Sequence, residues 1–309
     1  MSIDITIAIL ITMVGASTPL LLAALGELVV EKSGVLNLGI EGMMLTGAVI
    51  GFAVTYSTGN PWLGIIAAAA AGVVVSMLFA VLTLSLSSNQ VATGLALTIF
   101  GTGFSALFGQ AYTGKPIALF KSIFPDSLTD DRFLRVFFDY SPLVYFSLFM
   151  VFVVWWFLQK TRAGLILRAV GENDHSAHSI GYSVTKVRYA AVAFGGAMSG
   201  IAGASFPLML TPQWVEGLTG GRGWIALALV VFAAWQPGRL LAGAYLFGLI
   251  ATMELYAKAA GGAFRILPSE LWASLPYLAT IAVLVLISLR RTKSSSAPSC
   301  LGKPFMPNV

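Results

Sequence analysis

The chain has 309 residues, of which 57% are hydrophobic and only 10% charged, with 18 Lys and Arg against 13 Asp and Glu and a mean hydropathy of +0.86. A soluble globular protein carries about 25% charged residues, so this chain has too little polar surface for a water-soluble domain, and disorder is excluded with it. Its net charge of +5 is scattered among apolar stretches rather than gathered into a basic stripe with aromatics, which excludes a nucleic-acid partner.

Inside a bilayer every backbone polar group must be satisfied by protein, so only helices and closed barrels span it. Long apolar runs without period-two alternation exclude the barrel. The expected fold is all-α, a polytopic membrane helix bundle of about nine crossings (roughly eight to ten), some of them broken. Candidate spans are residues 5–26, 34–56, 62–86, 91–112, 141–158, 189–210, 224–235, 240–256 and 272–289. No basic residue precedes Lys32, so the first span lacks the charged start of a cleaved signal and is expected to be retained.

The second span opens on Asn37-Leu38-Gly39-Ile40-Glu41-Gly42, where two glycines flanking polar groups weaken the helix. Membrane proteins tolerate such backbone where it lines a cavity or is buried in protein. Glu41 and Glu254 are the carboxylates expected within helices, and an intramembrane carboxylate is by default a functional candidate. No charged residue occurs between Glu41 and Lys115. Ser57-Thr58-Gly59-Asn60-Pro61 and Ser87-Ser88-Asn89-Gln90 are tight turns that make neighbouring spans antiparallel. Gly109-Gln-Ala-Tyr-Thr-Gly114-Lys115-Pro116 approaches a phosphate-binding loop, but Pro116 stands where a magnesium-binding Ser or Thr belongs, and the stretch follows a membrane helix. The chain is therefore expected not to bind ATP itself.

Residues 113–140 form a loop of balanced charge, expected to be a small ordered or docking segment outside the membrane. Residues 161–188 are longer than a bundle connection needs and hold an amphipathic stretch, Leu165 to Val170, suited to lying on a membrane or docking on a partner. His175 and His178 could share a helix face, yet no further His or Cys completes a metal shell, so no metal is expected. Gly47 and Gly51, Gly196 and Gly200, and Ser199 and Gly203 have the spacing of close helix packing. Residues 292–309 are rich in Ser and Pro and are read as a disordered tail that follows a transmembrane domain of residues 1–291. Cys300 is the sole cysteine, so no intramolecular disulfide can form.

Lys and Arg favour the cytoplasmic side. Placing 161–188 and the end of the last span there puts Lys32, Lys160, Arg162, Arg168, Lys186, Arg188, Arg239, Arg290, Arg291 and Lys293 inside, which outnumber the basic residues left outside. The N-terminus is then external and the C-terminus cytoplasmic.

Four stretches, in order, resemble the permease subunits of ATP-binding-cassette importers, in the ribose and branched-chain amino-acid permease family and its nucleoside and simple-sugar branch. They are Gly34-Val-Leu-Asn37-Leu-Gly39-Ile-Glu41-Gly42-Met-Met, Ser88-Asn89-Gln90-Val-Ala-Thr93-Gly94-Leu-Ala-Leu, Arg168-Ala-Val-Gly171-Glu172-Asn173 and Gly217-Leu-Thr-Gly220-Gly221-Arg222-Gly223-Trp224. The resemblance implies a bacterial inner-membrane protein that works with separate cytoplasmic ATPase subunits, a second and different permease subunit, and an external substrate-binding protein. It places ATPase coupling at Arg168, Gly171, Glu172, Asn173 and Gly181. Candidates for the pathway or its gate are Asn37, Glu41, Asn89, Gln90, Thr93 and Trp224. Thr98 stands where the family often has Asn.

No cofactor and no catalytic residue is expected, because the spans hold no clustered nucleophile, carboxylate pair or metal set. The competing reading is a proton-coupled secondary transporter with Glu41 or Glu254 as relay. Spans with few charges suit a neutral, hydrogen-bonding solute, a nucleoside first, then a simple sugar or a flavin-like compound.

Overall fold

A computed structural model of the chain describes residues 3–120, 122–124, 134–260 and 297–306, with scattered helical positions between 271 and 285. The helices are α1 (Ile3–Lys32), α2 (Ile40–Thr58), α3 (Pro61–Ala80), α4 (Gln90–Gly109), α5 (Pro142–Lys160), α6 (Arg162–Glu172), α7 (Asp174–Ser179), α8 (Val184–Ser205), α9 (Arg222–Phe232) and α10 (Pro237–Ala260), with one short turn at Arg135–Phe138. π-helical turns extend α3 over Val81–Ser85 and α8 over Phe206–Leu210. Six helices among the described residues are long and apolar enough to cross a membrane, and α9 and α10 hold shorter apolar stretches. The protein is a polytopic all-α bundle.

Two predicted turn residues and the first residue of the 161–188 segment start helices. Asn60 accepts from Trp62 N at 3.0 Å with Pro61 in the first turn of α3, Asn89 accepts from Ala92 N at 3.0 Å, and Thr161 accepts from Gly164 N at 3.0 Å. Each satisfies a donor that the helix itself leaves open.

Helices α2, α3 and α8 form the centre. A β-carbon on Gly47 would strike the Gly200 backbone, one on Gly72 the Gly196 carbonyl, and one on Gly203 the Met44 carbonyl. Lipid gives no hydrophobic drive for helix association, so backbone proximity and dispersion hold these helices together, as the small-residue spacing predicts. Gly26 of α1 packs on Gly195, while Gly15 faces Leu210 at 3.7 Å, so α1 and α8 run antiparallel. The end of the bundle that carries α6 and α7 therefore also carries Lys32 and Ser88.

Three predicted boundaries move. Helix α1 continues past residue 26 to Lys32, and residues 33–39 form a connector rather than the start of α2. Helix α8 begins at Val184, before the predicted 189. The crossing predicted at 224–235 is an 11-residue helix, about 16 Å long at 1.5 Å per residue and too short for a bilayer. Its missing half is the non-helical stretch 211–221, whose Trp214 is buried against Gly109.

The first part of the 113–140 loop packs on this stretch. Ile117 N donates to Pro212 O at 3.0 Å and Phe120 N to Leu208 O at 2.8 Å. Residues 125–133 of that loop, and most of the predicted 272–289 span, lie outside the described residues. The expectation of a disordered tail is corrected over residues 297–306. Cys300 is buried, and its N–H donates to Gly171 O at 2.9 Å. Ser and Pro content indicated a loop, but backbone pairing with a distant element holds it.

Candidate functional site

The connector between α1 and α2 has no regular structure, so its polar groups must find partners elsewhere. They find them on four other elements. Arg188 Nε of α8 donates to Ser33 O at 3.2 Å, and Gly302 N of the tail donates to Gly34 O at 3.1 Å. Leu36 N donates to Gln90 Oε1 at 2.8 Å, Asn37 N to Glu27 Oε1 at 3.2 Å, and Thr98 Oγ1 of α4 to Leu38 O at 3.0 Å. Asn37 Oδ1 accepts from Gly39 N at 2.9 Å, which starts α2. Irregular backbone is thus buried in protein, one of the settings in which a membrane tolerates it. The departure at Thr98 has a local role, since its hydroxyl holds the connector.

In the first turn of α2, Glu41 is 5% exposed and points at the beginning of α9. Its Oε1 accepts from Thr219 Oγ1 at 2.5 Å and Gly221 N at 2.9 Å, and its Oε2 accepts from Gly223 N at 2.6 Å. The carboxylate so caps the open N–H groups of α9 and lies in the first turn of α2, where two helix dipoles favour negative charge. The glycines of the fourth motif make this possible. Gly217, Gly220 and Gly221 have φ of +68, +57 and +79, the left-handed region. A β-carbon on Gly223 would come within 2.6 Å of Glu41 Oε2. Two stretches far apart in sequence therefore form one joint, and Glu41 is engaged on both oxygens rather than free as a relay.

Helix α9 ends against α1. Trp235 Nε1 donates to Glu31 Oε2 at 2.5 Å, and Lys32 Nζ lies 5.8 Å from the Trp235 ring centroid. Glu27 and Glu31 are both buried to 1% exposure. Sequence reasoning missed them, because the first span was closed at residue 26. Their spacing of four residues puts both on one face of a helix, and that was the signal available.

The third motif closes the same hub from the α6 side. A β-carbon on Gly171 would strike the Lys32 carbonyl. Asn173 ends α6 in an extended conformation, and its Oδ1 accepts from Ser176 N at 2.9 Å to start α7. Glu172 is exposed and accepts from Ser299 Oγ at 3.0 Å. Arg168 is half-buried on α6. Asp174, just beyond the motif, forms a buried ion pair with Arg188 at 3.1 Å, a pair that sequence reading did not single out.

The remaining candidates lie around the hub. Asn89 is an exposed cap, and Thr93 Oγ1 lies 2.9 Å from Ser88 Oγ at the start of α4. Trp224 is half-buried in the first turn of α9, and Gly181 is an exposed turn residue with φ of +94. Glu254 falls on α10, with its side chain outside the described residues. His175 and His178 flank Phe305, with ring centroids at 5.6 and 5.5 Å. The phosphate-loop-like stretch is the end of α4 and a 3-10 turn, with Lys115 Nζ 5.3 Å from the Tyr56 ring centroid.

Residues 9–286 match the family described as branched-chain amino acid transport system / permease component. The chain is 43% identical over 294 residues to a putative glucose ABC transporter permease protein, TsgC13, of Haloferax volcanii, covering 88% of each chain. It is 31% identical over 306 residues to the guanosine ABC transporter permease protein NupQ of Bacillus subtilis, covering 94% of this chain and 93% of the relative. A second guanosine permease protein of that organism, NupP, is 26% identical over 249 residues, covering 75% of this chain and 70% of the relative.

Proposed function

This chain belongs to the family of permease components of branched-chain amino acid transport systems, and from that premise we propose that it carries a small neutral, hydroxyl-bearing solute, a nucleoside or a simple sugar. As an ABC transporter permease it is a multi-pass transport subunit and not an enzyme, and it works with ATPase and substrate-binding partners. The observation that carries the substrate class is similarity over most of the chain to permeases named for glucose and guanosine, two solutes that share a polyhydroxylated ring. Spans this poor in charge suit such a solute better than an ion.

In this reading residues 161–188 form the cytoplasmic coupling segment in the bacterial inner membrane, with Arg168, Gly171, Glu172, Asn173 and Gly181 meeting the ATPase. The joint between Glu41 and the start of α9 is the gate, with Asn37, Gln90 and Trp224 around it and Asn89 and Thr93 at the near end of α4. The chain needs no cofactor of its own. A second, different permease subunit completes the pathway, a reading supported by the two guanosine permease proteins of one organism. Helix α4 suits that contact, since 22% of its span is buried against 78% for α8.

The test is uptake into proteoliposomes holding the assembled transporter with its binding protein and ATP. Labelled guanosine or glucose should accumulate and compete with unlabelled sugar-bearing solute. Accumulation of leucine but of neither of these would sink the substrate class, and uptake driven by a proton gradient without ATP would sink the mechanism.

A further inference from the structure

Residues 297–306 touch α6, α7, α8 and the connector at once. Cys300 N donates to Gly171 O at 2.9 Å, and two residues later Gly302 N donates to Gly34 O at 3.1 Å. Gly302 has φ of +74, which a side chain would strain. The Arg188 guanidinium, 1% exposed, gathers all the parties: Nε to Ser33 O at 3.2 Å, Nη2 to Asp174 Oδ2 at 3.1 Å and Nη1 to Lys303 O at 3.4 Å. Phe305 sits against His175 and His178 and packs on the cluster of Val170, Ala177 and Val184.

Among the described residues, every hydrogen bond that links α6 and α7 to the connector runs through this segment or through Arg188. The direct links are van der Waals contact of Gly171 with the Lys32 carbonyl and a charge attraction between Lys32 and the exposed Glu172, which solvent screens. The van der Waals contact resists compression but transmits little tension, because dispersion between a few atoms amounts to only tenths of a kcal/mol. A reversible stroke needs bonds that also pull.

We propose that residues 297–306 are a coupling strap, which ties the ATPase-facing α6 and α7 to the α1–α2 connector and so passes movement in both directions to the joint at Glu41. The strap rests on the reading of 161–188 as the coupling segment. It is a positioning element: its residues need touch neither the solute nor the ATPase.

The experiment compares three forms of the assembled transporter in proteoliposomes: a chain ending at Ser296, Phe305→Ala, and Gly171→Val as the probe of the coupling segment itself. ATP hydrolysis, uptake of whichever of labelled guanosine and glucose the parent carries, and retention of the ATPase subunits are read together. The shortened chain and Phe305→Ala should retain the ATPase and hydrolyse ATP, while uptake per ATP falls about two- to thirtyfold, the range of coupling changes of 0.5–2 kcal/mol. Gly171→Val should uncouple as well.

Uncoupling by Gly171→Val alone, with parental uptake in the other two, overturns the strap and leaves the coupling segment standing. Parental coupling in all three overturns both. Loss of the ATPase from the shortened chain and from Phe305→Ala would make the segment a docking contact, and the strap would be rejected. Should the shortened chain fail to insert, Phe305→Ala and the native thiol decide. Buried Cys300 should resist a maleimide in the parent complex with and without ATP and react at least about tenfold faster in Phe305→Ala, as a local opening worth 1.4 kcal/mol would give; rapid labelling of the parent overturns the strap.

Discussion

Glu41 satisfies three donors that no other described group serves: one hydroxyl and two backbone N–H groups of the 217–223 stretch. Removing the acceptor strands them in a buried setting, at about 1–3 kcal/mol each. Glu41→Ala should therefore destabilise the protein by about 3 kcal/mol or more, and Glu41→Gln by less because one oxygen remains. Thermal unfolding in detergent measures both, and an unchanged midpoint in Glu41→Ala would refute the cap. Arg188 and Asp174 make a second residue-scale case. Breaking a buried pair from one side costs about 3–5 kcal/mol, since the other charge stays buried. Arg188→Met should lower stability by that amount, and adding Asp174→Asn should recover part of it. A double-mutant cycle without coupling would show that the pair contributes nothing. Glu27 and Glu31 were passed over in sequence despite their shared helix face, because carboxylates beside Lys32 read as the polar end of a span. Their hydrogen-bond donors, Asn37 N and Trp235 Nε1, are supplied by other parts of the chain.

At the scale of elements, helix pairs rest on glycine contacts, and these contacts differ in what they tolerate. Gly200 faces the Ala68 carbonyl across the α3–α8 contact, whereas Gly103 on α4 has nothing within 4 Å. Gly200→Val should abolish assembly or cost roughly 3 kcal/mol by overpacking, while Gly103→Ala should be neutral or slightly stabilising, by up to about 1 kcal/mol. Equal melting midpoints for the two variants would remove the packing argument. The small-residue spacing was legible in sequence, but which glycine meets which helix was not. The element most misjudged was the seventh span. Its apolar run, 224–235, looked like a crossing, yet the structure makes only an 11-residue helix, Arg222–Phe232, and approaches it through the non-helical, glycine-rich residues 217–221. Three consecutive-region glycines in the left-handed region were the local sign, and what fixed the split was a carboxylate on another helix.

For the whole molecule, the antiparallel arrangement puts Lys32, α6, α7 and residues 297–306 at one end and Thr58 with Gly59 at the other. Cysteines placed at Ser179 and at Thr58, in a Cys300→Ser background, should react with a membrane-impermeant maleimide from opposite sides. On the proposed cytoplasmic placement of 161–188, Ser179→Cys should label only in inside-out vesicles. Labelling of both from the same side would contradict the arrangement. The same geometry makes the four sequence motifs one assembly. The first supplies the connector and Glu41, the second Gln90 and the helix carrying Thr98, the third the α6 end that backs Lys32, and the fourth the loop capped by Glu41.

The sequence by itself determined the solvent, the class of fold and the family. Charge content, apolar run length and capping residues act locally or through composition, and the bilayer enforces them on any chain. Only the tertiary structure decided which polar groups face one another. Glu41 meets Gly223, Arg188 meets Ser33 and Asp174, and Cys300 meets Gly171, across separations that no local pattern encodes. In a bundle where irregular backbone must be satisfied by protein, those distant pairings are the condition for the breaks to exist, so the site became visible only once the helices were placed.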